Sequence, residues 1–211
     1  YTYQWIATGN YNTIHFNPVN DNTGTASNLS WMDIDNANIT EIHTTNSTCL
    51  ITLIPEGFYN SGINKLNRRD TVTAFLRNNT SPYGVVDSAK AIIDSLTFSG
   101  NFNFINFTDG LYFIQVKHRN SIETWSKYGV QMTVGSANSY NFTTAASKAL
   151  GNNLKQVNAS PVKFAILSGD VNQDGTVDAA DISDIDNDAS NSVSGYVNTD
   201  VTGDNFVDAG D

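Results

Sequence analysis

The sequence predicts a mainly β protein: an antiparallel β-sandwich followed by a small acidic segment built of two loops and one short helix. Three observations carry this expectation. Apolar and polar residues alternate with a period of two along several stretches. Gly, Pro, Asp and Ser turn signals separate those stretches at the spacing of a sandwich. A twelve-residue Asp pattern occurs twice near the C-terminal end. The expected organisation is N-terminal strands or an arm over 1–47, the sandwich over 48–145, a connector with a final strand over 146–169, and the acidic segment over 170–211.

In order along the chain, Tyr1-Thr-Tyr-Gln-Trp-Ile6 and Thr13-Ile-His-Phe16 read as strands, joined to Leu29-Ser-Trp31-Met-Asp-Ile34 by an Asn-, Thr- and Gly-rich loop. They complete the sandwich, form a separate small sheet, or serve as an extended arm that pairs with an open edge on a neighbouring subunit. Thr48-Cys-Leu-Ile-Thr-Leu-Ile54 follows as a strand with Cys49 as a buried core thiol. Val72, Ala74 and Leu76 make one face of the next strand, and Phe102 and Phe104 lead a further one toward Phe107. Tyr112, Ile114 and Val116 alternate within Leu111–His118, and Tyr128–Val134 alternates likewise. Turns fall at Pro55-Glu-Gly57, Ser99-Gly100, Asp109-Gly110 and Gly135-Ser136. Ala145–Leu150 reads as a helical turn before Gly151, and Val162–Leu167 as a last strand.

Residues 170–181 read D-V-N-Q-D-G-T-V-D-A-A-D and residues 200–211 read D-V-T-G-D-N-F-V-D-A-G-D, identical at seven of twelve positions, with Asp at positions 1, 5, 9 and 12 of both. This is the layout of a calcium loop, where oxygens at positions 1, 3 and 5, a backbone carbonyl at 7, a residue acting through water at 9 and a bidentate acid at 12 surround one hard cation. Two calcium sites are therefore expected. The first comprises Asp170, Asn172, Asp174, the Thr176 carbonyl, Asp178 and Asp181; the second comprises Asp200, Thr202, Asp204, the Phe206 carbonyl, Asp208 and Asp211. Gly175 at position 6 supplies the sharp turn, and Asn205 tolerates the same left-handed backbone in the second copy. Thr202 is a poorer oxygen donor than Asn172, so the second site is expected to bind more weakly. Ile182, Ile185 and Ala189 recur at helical spacing after the first loop and predict one short amphipathic helix.

The loops are not full EF-hands, because the residues entering the first, Val162–Ile166, alternate as a strand. A calcium loop with only an exiting helix, repeated at this spacing, resembles the type I dockerin module of secreted bacterial proteins, over residues 168–211. In that family the exposed helix faces dock onto cohesin domains. Here the first helix lacks the basic residues that commonly follow the family's loop, and the chain stops on the last ligand of loop two, before a second helix; either the protein continues or this is a fragment. The stretch Gly100-x-Phe102-x-Phe104 followed by Gly110-Leu-Tyr112 resembles the paired strands of a prealbumin-like sandwich, as in carboxypeptidase-regulatory-like domains, over roughly 48–135. A sandwich followed by a dockerin-like repeat is similar to a C-terminal pairing in large secreted bacterial surface proteins, and that resemblance implies a non-catalytic module.

All eleven Lys and Arg lie before residue 170, where they leave a net charge of +1, while the acidic segment holds eleven Asp and no basic residue. Such a segment is expected to stay loose without metal. No basic patch suggests a nucleic-acid partner. The low charged fraction of 15%, the 28 Asn and the calcium loops point to an extracellular or cell-surface location. One cysteine permits no internal disulfide, no apolar run is long enough for a transmembrane segment, and the start at Tyr1 suggests a removed signal peptide or an excised module. Glycans are candidate partners on two patterns. N-x-S/T sequons stand at Asn28, Asn38, Asn46, Asn78, Asn79, Asn106, Asn141 and Asn158; Asp-Ser/Thr-aliphatic triplets at Asp70-Thr-Val72, Asp87-Ser-Ala89 and Asp94-Ser-Leu96 resemble an O-glycosylation signal of some secreted bacterial proteins.

Catalytic constellations are thin. His15, His43 and His118 are scattered; His118 and Glu123 could make an acid–base pair, or simply a strand end with Glu123 beneath Trp125. Asp33 and Asp35 share a strand face, as a glycosidase pair, a third calcium site or surface polarity. Trp5, Trp31 and Trp125 could stack sugar rings, or sit in the core. The expected function is therefore a secreted, non-enzymatic calcium-binding structural protein, a subunit or module of an extracellular surface structure or filament that associates with itself or with another extracellular protein. The alternatives are an appendage that docks an enzyme onto a cohesin-like receptor, and a carbohydrate-binding module.

Overall fold

The computed structural model describes residues 47–211. The strands expected within residues 1–46, together with Trp5, Trp31, His15, His43, Asp33, Asp35 and the sequons at Asn28, Asn38 and Asn46, lie outside the described residues.

The described chain is mainly β with one α-helix. Its strands are β1 (Ser47–Thr52), β2 (Tyr59–Asn60), β3 (Lys65–Leu66), β4 (Asp70–Asn78), β5 (Val85–Ile93), β6 (Ser99–Phe104), β7 (Gly110–His118), β8 (Thr124–Trp125), β9 (Val130–Met132), β10 (Asn138–Asn141), β11 (Lys155–Ala159) and β12 (Val162–Ala165), followed by α1 (Ala179–Ser190). The larger sheet runs β5-β4-β7-β8, with β9 also on β7, and every pairing in it is antiparallel. The smaller sheet runs β10-β1-β6. Its β1–β6 pair is antiparallel, but β10 lies parallel to β1, so the sandwich is not antiparallel throughout as expected.

Alternation decides which side chains meet. Val72, Ala74 and Leu76 of β4 with Ile114 and Val116 of β7 point inward from one sheet, and Cys49, Ile51, Phe102 and Phe104 from the other; all are fully buried in one core. Each of the Val, Leu, Ile and Phe side chains among them contributes roughly 1.5–3 kcal/mol by leaving water. Cys49 is the expected core thiol, and burial pushes its pKa up to about 12.

Two strand expectations are corrected. The strand expected over Tyr128–Val134 shrinks to Val130–Met132, and β8 forms ahead of it. The Ser126 hydroxyl explains the break: it accepts from Ile114 N–H at 3.0 Å and donates to the Tyr128 carbonyl at 2.9 Å, so a side chain takes the place of a ladder bond. The final strand, expected over Val162–Leu167, is one half of a hairpin with β11, and the expected turn near Ala145–Leu150 is two short 3-10 turns at Ala146–Lys148 and Leu150–Asn152.

After β12 the chain returns between two sandwich loops. Ile166 donates to Ile54 and accepts from Glu56, Ile122 donates to the Leu167 carbonyl, and Gly169 donates to Asn120. This backbone clamp delivers Asp170 to one end of the sandwich.

Candidate metal centre

Loop one, residues 170–181, is organised by local hydrogen bonds from backbone N–H groups to side-chain oxygens. Asp170 Oδ2 accepts from Gly175 N–H at 3.2 Å, Asn172 Oδ1 from Asp174 N–H at 2.8 Å, and Asp174 Oδ1 from Thr176 N–H at 2.9 Å. Position 6 has the positive φ expected of it, +93° at Gly175 and +84° at Asn205 of loop two. Asp181 closes the loop: its Oδ1 accepts from Val171 and Asn172 N–H, and its Oδ2 from Asp178 N–H at 3.0 Å. Asp178 is the N-cap of α1 and accepts from Ala180 N–H, so positions 9 and 12 of the loop form a capping box. That capping role was legible in the D-A-A-D spacing and was missed.

The helix face differs from the expected one. Ile182 is 58% exposed, and the inward stripe passes instead through Asp181, Ile185, Asp188 and Ala189. Asp181 turns inward to close the loop, and this rotates the buried stripe away from Ile182.

One atom in loop one has nothing to bind. Asp170 is 2% exposed, and its Oδ1 is buried with no hydrogen-bond partner. Burial, joined by the charges of Asp181 and Asp174, raises its carboxyl above the ordinary range against the Gly175 N–H. An open pocket of about 330 Å³ is lined by Asp170 together with Lys117, Glu123, Gln173 and Asp174, among others. Among the described residues no three His, Cys, Asp or Glu side chains are gathered closely enough to hold a metal by themselves. In loop one the buried side-chain oxygen without a hydrogen-bond partner is Asp170 Oδ1.

Loop two, residues 200–211, repeats part of this geometry. Asp204 Oδ1 accepts from Phe206 N–H at 2.9 Å, and Asp211 accepts from Thr202 N–H at 2.8 Å and Asp208 N–H at 3.0 Å. Thr202 makes no counterpart to the Asn172 bond, and its hydroxyl oxygen is buried without a partner. Asn198 Nδ2 donates to the Val171 carbonyl at 3.2 Å and ties the two loops together.

Loop two also sits on a buried polar cluster of the sandwich. Asp70 Oδ2 accepts from His118 Nε2 at 3.3 Å and Arg119 Nε at 2.9 Å, while its Oδ1 accepts from the Tyr196 hydroxyl at 2.6 Å. Arg119 continues to Asp200 Oδ2 at 3.3 Å and stacks over Phe58 and Tyr196. Burial alone would raise the Asp70 carboxyl, but the bonds from His118, Tyr196 and Arg119 outweigh it and hold it well below the usual carboxylate range. Burial lowers the His118 pKa below its ordinary value, against the pull of Asp70, with the Arg119 charge adding to the effect.

His118 therefore does not pair with Glu123. Its Nδ1 lies 3.0 Å from Ser121 Oγ inside the core, whereas Glu123 binds Lys117 at 2.8 Å and accepts from Trp125 Nε1 at 2.5 Å. The Trp125 ring is covered by the Arg77 guanidinium, 5.3 Å from its centroid. The triplet acids have structural roles: Asp70 anchors the cluster just described, and Asp87 accepts from Ile105 and Asn106 N–H. Thr71 and Ser88 beside them are exposed.

Fold and site together define a mainly β sandwich carrying a C-terminal pair of Asp-rich loops around one short helix. No family model matches the chain, and no curated protein does. Among solved structures it is similar to two crystal structures of type II cohesin–X–dockerin complexes from Acetivibrio cellulolyticus, a C-terminal and an N-terminal interface mutant. Identity is 16% for both, with 77% and 78% of this chain and 88% of each matched chain covered, at TM-scores of 0.41 and 0.40. These scores are too low to carry the fold or the partners of those complexes over to this chain. Among the described residues no helix is long and apolar enough to cross a membrane.

Proposed function

We propose that the chain is a secreted, non-catalytic structural module whose acidic segment is set by calcium. The buried Asp170 Oδ1 with no partner carries this reading. An ionised carboxylate oxygen shut away from water is costly unless a cation meets it. Asp170, Asn172, Asp174 and the Thr176 carbonyl would hold the ion, with Asp178 through water and Asp181 as the closing acid. Bound calcium supplies a fixed positive centre.

The chain's own residues do the rest. Asp181 ties the loop's beginning to position 9 and the first turn of α1, so an ordered loop orients the helix. The clamp at Ile166 and Gly169 then fixes loop and helix to the sandwich end. The rigid acidic segment offers a surface for association with copies of itself or with another extracellular protein, in a surface layer or filament.

Calorimetric titration of calcium into chelator-treated protein tests the metal. Binding with a rise in melting temperature is expected, since a ligand at about a hundred times its Kd adds about 2.7 kcal/mol. Absence of both sinks the reading. Light scattering in calcium and then in excess chelator tests assembly: particles that stay monomeric in both would limit the role to stability of the single chain.

A further inference from the structure

We propose that the two acidic loops have divided roles: loop one takes the cation, while in loop two the guanidinium groups of Arg119 and Arg68 already neutralise the position-1 carboxylate and latch the segment to the sandwich without metal. This rests on the calcium reading of loop one. The contrast lies between two buried aspartates at equivalent places. Asp170 is 2% exposed with one oxygen unpartnered, and among the described residues no Lys or Arg forms an ion pair with it. Asp200 is fully buried, and its Oδ2 lies 3.3 Å from Arg119 Nη2 and 3.5 Å from Arg68 Nη1, while its Oδ1 accepts from Asp204 N–H at 3.1 Å.

Both guanidinium groups have further partners. Arg119 is fixed by Asp70, by Phe58 and by Tyr196, over whose ring it lies 4.8 Å from the centroid. Arg68 lies over the same Tyr196 ring and donates to Asn205 Oδ1 at 2.8 Å. Asn67 and Asn120 hold the loop's backbone through the Thr202 and Asp200 carbonyls, both at 2.9 Å. Gly203, at φ +72°, lies flat against the Phe58 ring, where a Cβ would come within 2.9 Å of a ring carbon. A cation entering loop two would share Asp200 with two fixed positive charges in a site of low dielectric, so its affinity there falls.

The test is calcium titration calorimetry on the full chain, paired with hydrogen exchange in excess chelator. In the wild type one tight ion per chain is expected. Asp170→Asn weakens that phase by at least the roughly 10–100-fold that the loss of a ligand's supporting partner costs. Asp200→Asn leaves it within about twofold, a change under half a kcal/mol. Arg68→Met, at a partly exposed position, strengthens binding in a second, weaker phase. In chelator, exchange protection is lost over 170–181 and kept over 196–211. Two tight ions of like affinity, or loss of one on Asp200→Asn, overturns the division while leaving the calcium reading intact. No binding in the wild type overturns the calcium reading, and with it the role given to loop one. The latch then stands or falls on exchange alone: protection of 196–211 unchanged in Arg119→Lys and Asp200→Asn overturns it.

Discussion

Replacement of Asp70 by Asn tests the buried cluster most directly. Asp70 is 4% exposed and accepts from four groups: Thr71 N–H at 2.7 Å and the Tyr196 hydroxyl at 2.6 Å on one oxygen, His118 Nε2 at 3.3 Å and Arg119 Nε at 2.9 Å on the other. An Asn amide can serve only one of these pairs. Its NH2 must then face two donors, and Arg119 loses half of its counter-charge in a site closed to water. Breaking a buried ion pair from one side costs about 3–5 kcal/mol. For a domain of this size each kcal/mol moves the melting temperature by about 2–4 °C, so a fall of roughly 6–20 °C is expected. Calorimetric scans in calcium and in chelator measure it, and the loss is expected in both conditions because no proposed ligand of loop one is touched. A fall of less than about 2 °C would refute the account of Asp70 as the hub of the cluster.

Acid should weaken the fold through the same cluster. The folded His118 pKa lies below its ordinary value, so the unfolded chain takes up a proton first as pH falls through about 6.5, and stability present above that value is lost below it at up to about 1.4 kcal/mol per pH unit. Asp70, also depressed, adds its loss only below about pH 4, so melting temperature against pH should bend twice; a His118→Gln variant with the same slope between pH 7 and 5 would refute the first bend. Gly203→Ala combines a left-handed backbone with a clash on Phe58 and is expected to cost about 2–5 kcal/mol by thermal melting; a change under about 1 kcal/mol would mean that loop two does not rest on that ring.

The elements legible in the sequence were those with local signals. Val72, Ala74 and Leu76, and Tyr112, Ile114 and Val116, alternate over enough residues for period two to identify β4 and β7 and their buried faces. The first loop was legible because its turn bonds join residues two to five positions apart, a range that spacing alone can encode. The parallel partner β10 was not legible: Asn138–Asn141 carries no local mark of which strand it joins, and its register is set against β1, about ninety residues away. Ser126 escaped notice because its hydroxyl acts on a ladder that exists only once β7 is in place.

The buried cluster shows the same division at the site. Asp70-Thr-Val72 carries a modification pattern and His118 reads as a candidate acid–base partner of Glu123, but nothing local links the two. Asp70 lies 126 positions from Tyr196, and Arg119 lies 81 positions from Asp200. The sequence by itself determined the alternating strands, the charge division between body and tail, and the tandem Asp spacing, because each depends on chain neighbours and on the chemistry of side chains. Only the tertiary structure decided which acid of the repeat meets a guanidinium and which does not. Burial removes water as the competing partner for every carboxylate, and what replaces water depends on the side chains that packing brings from distant parts of the chain.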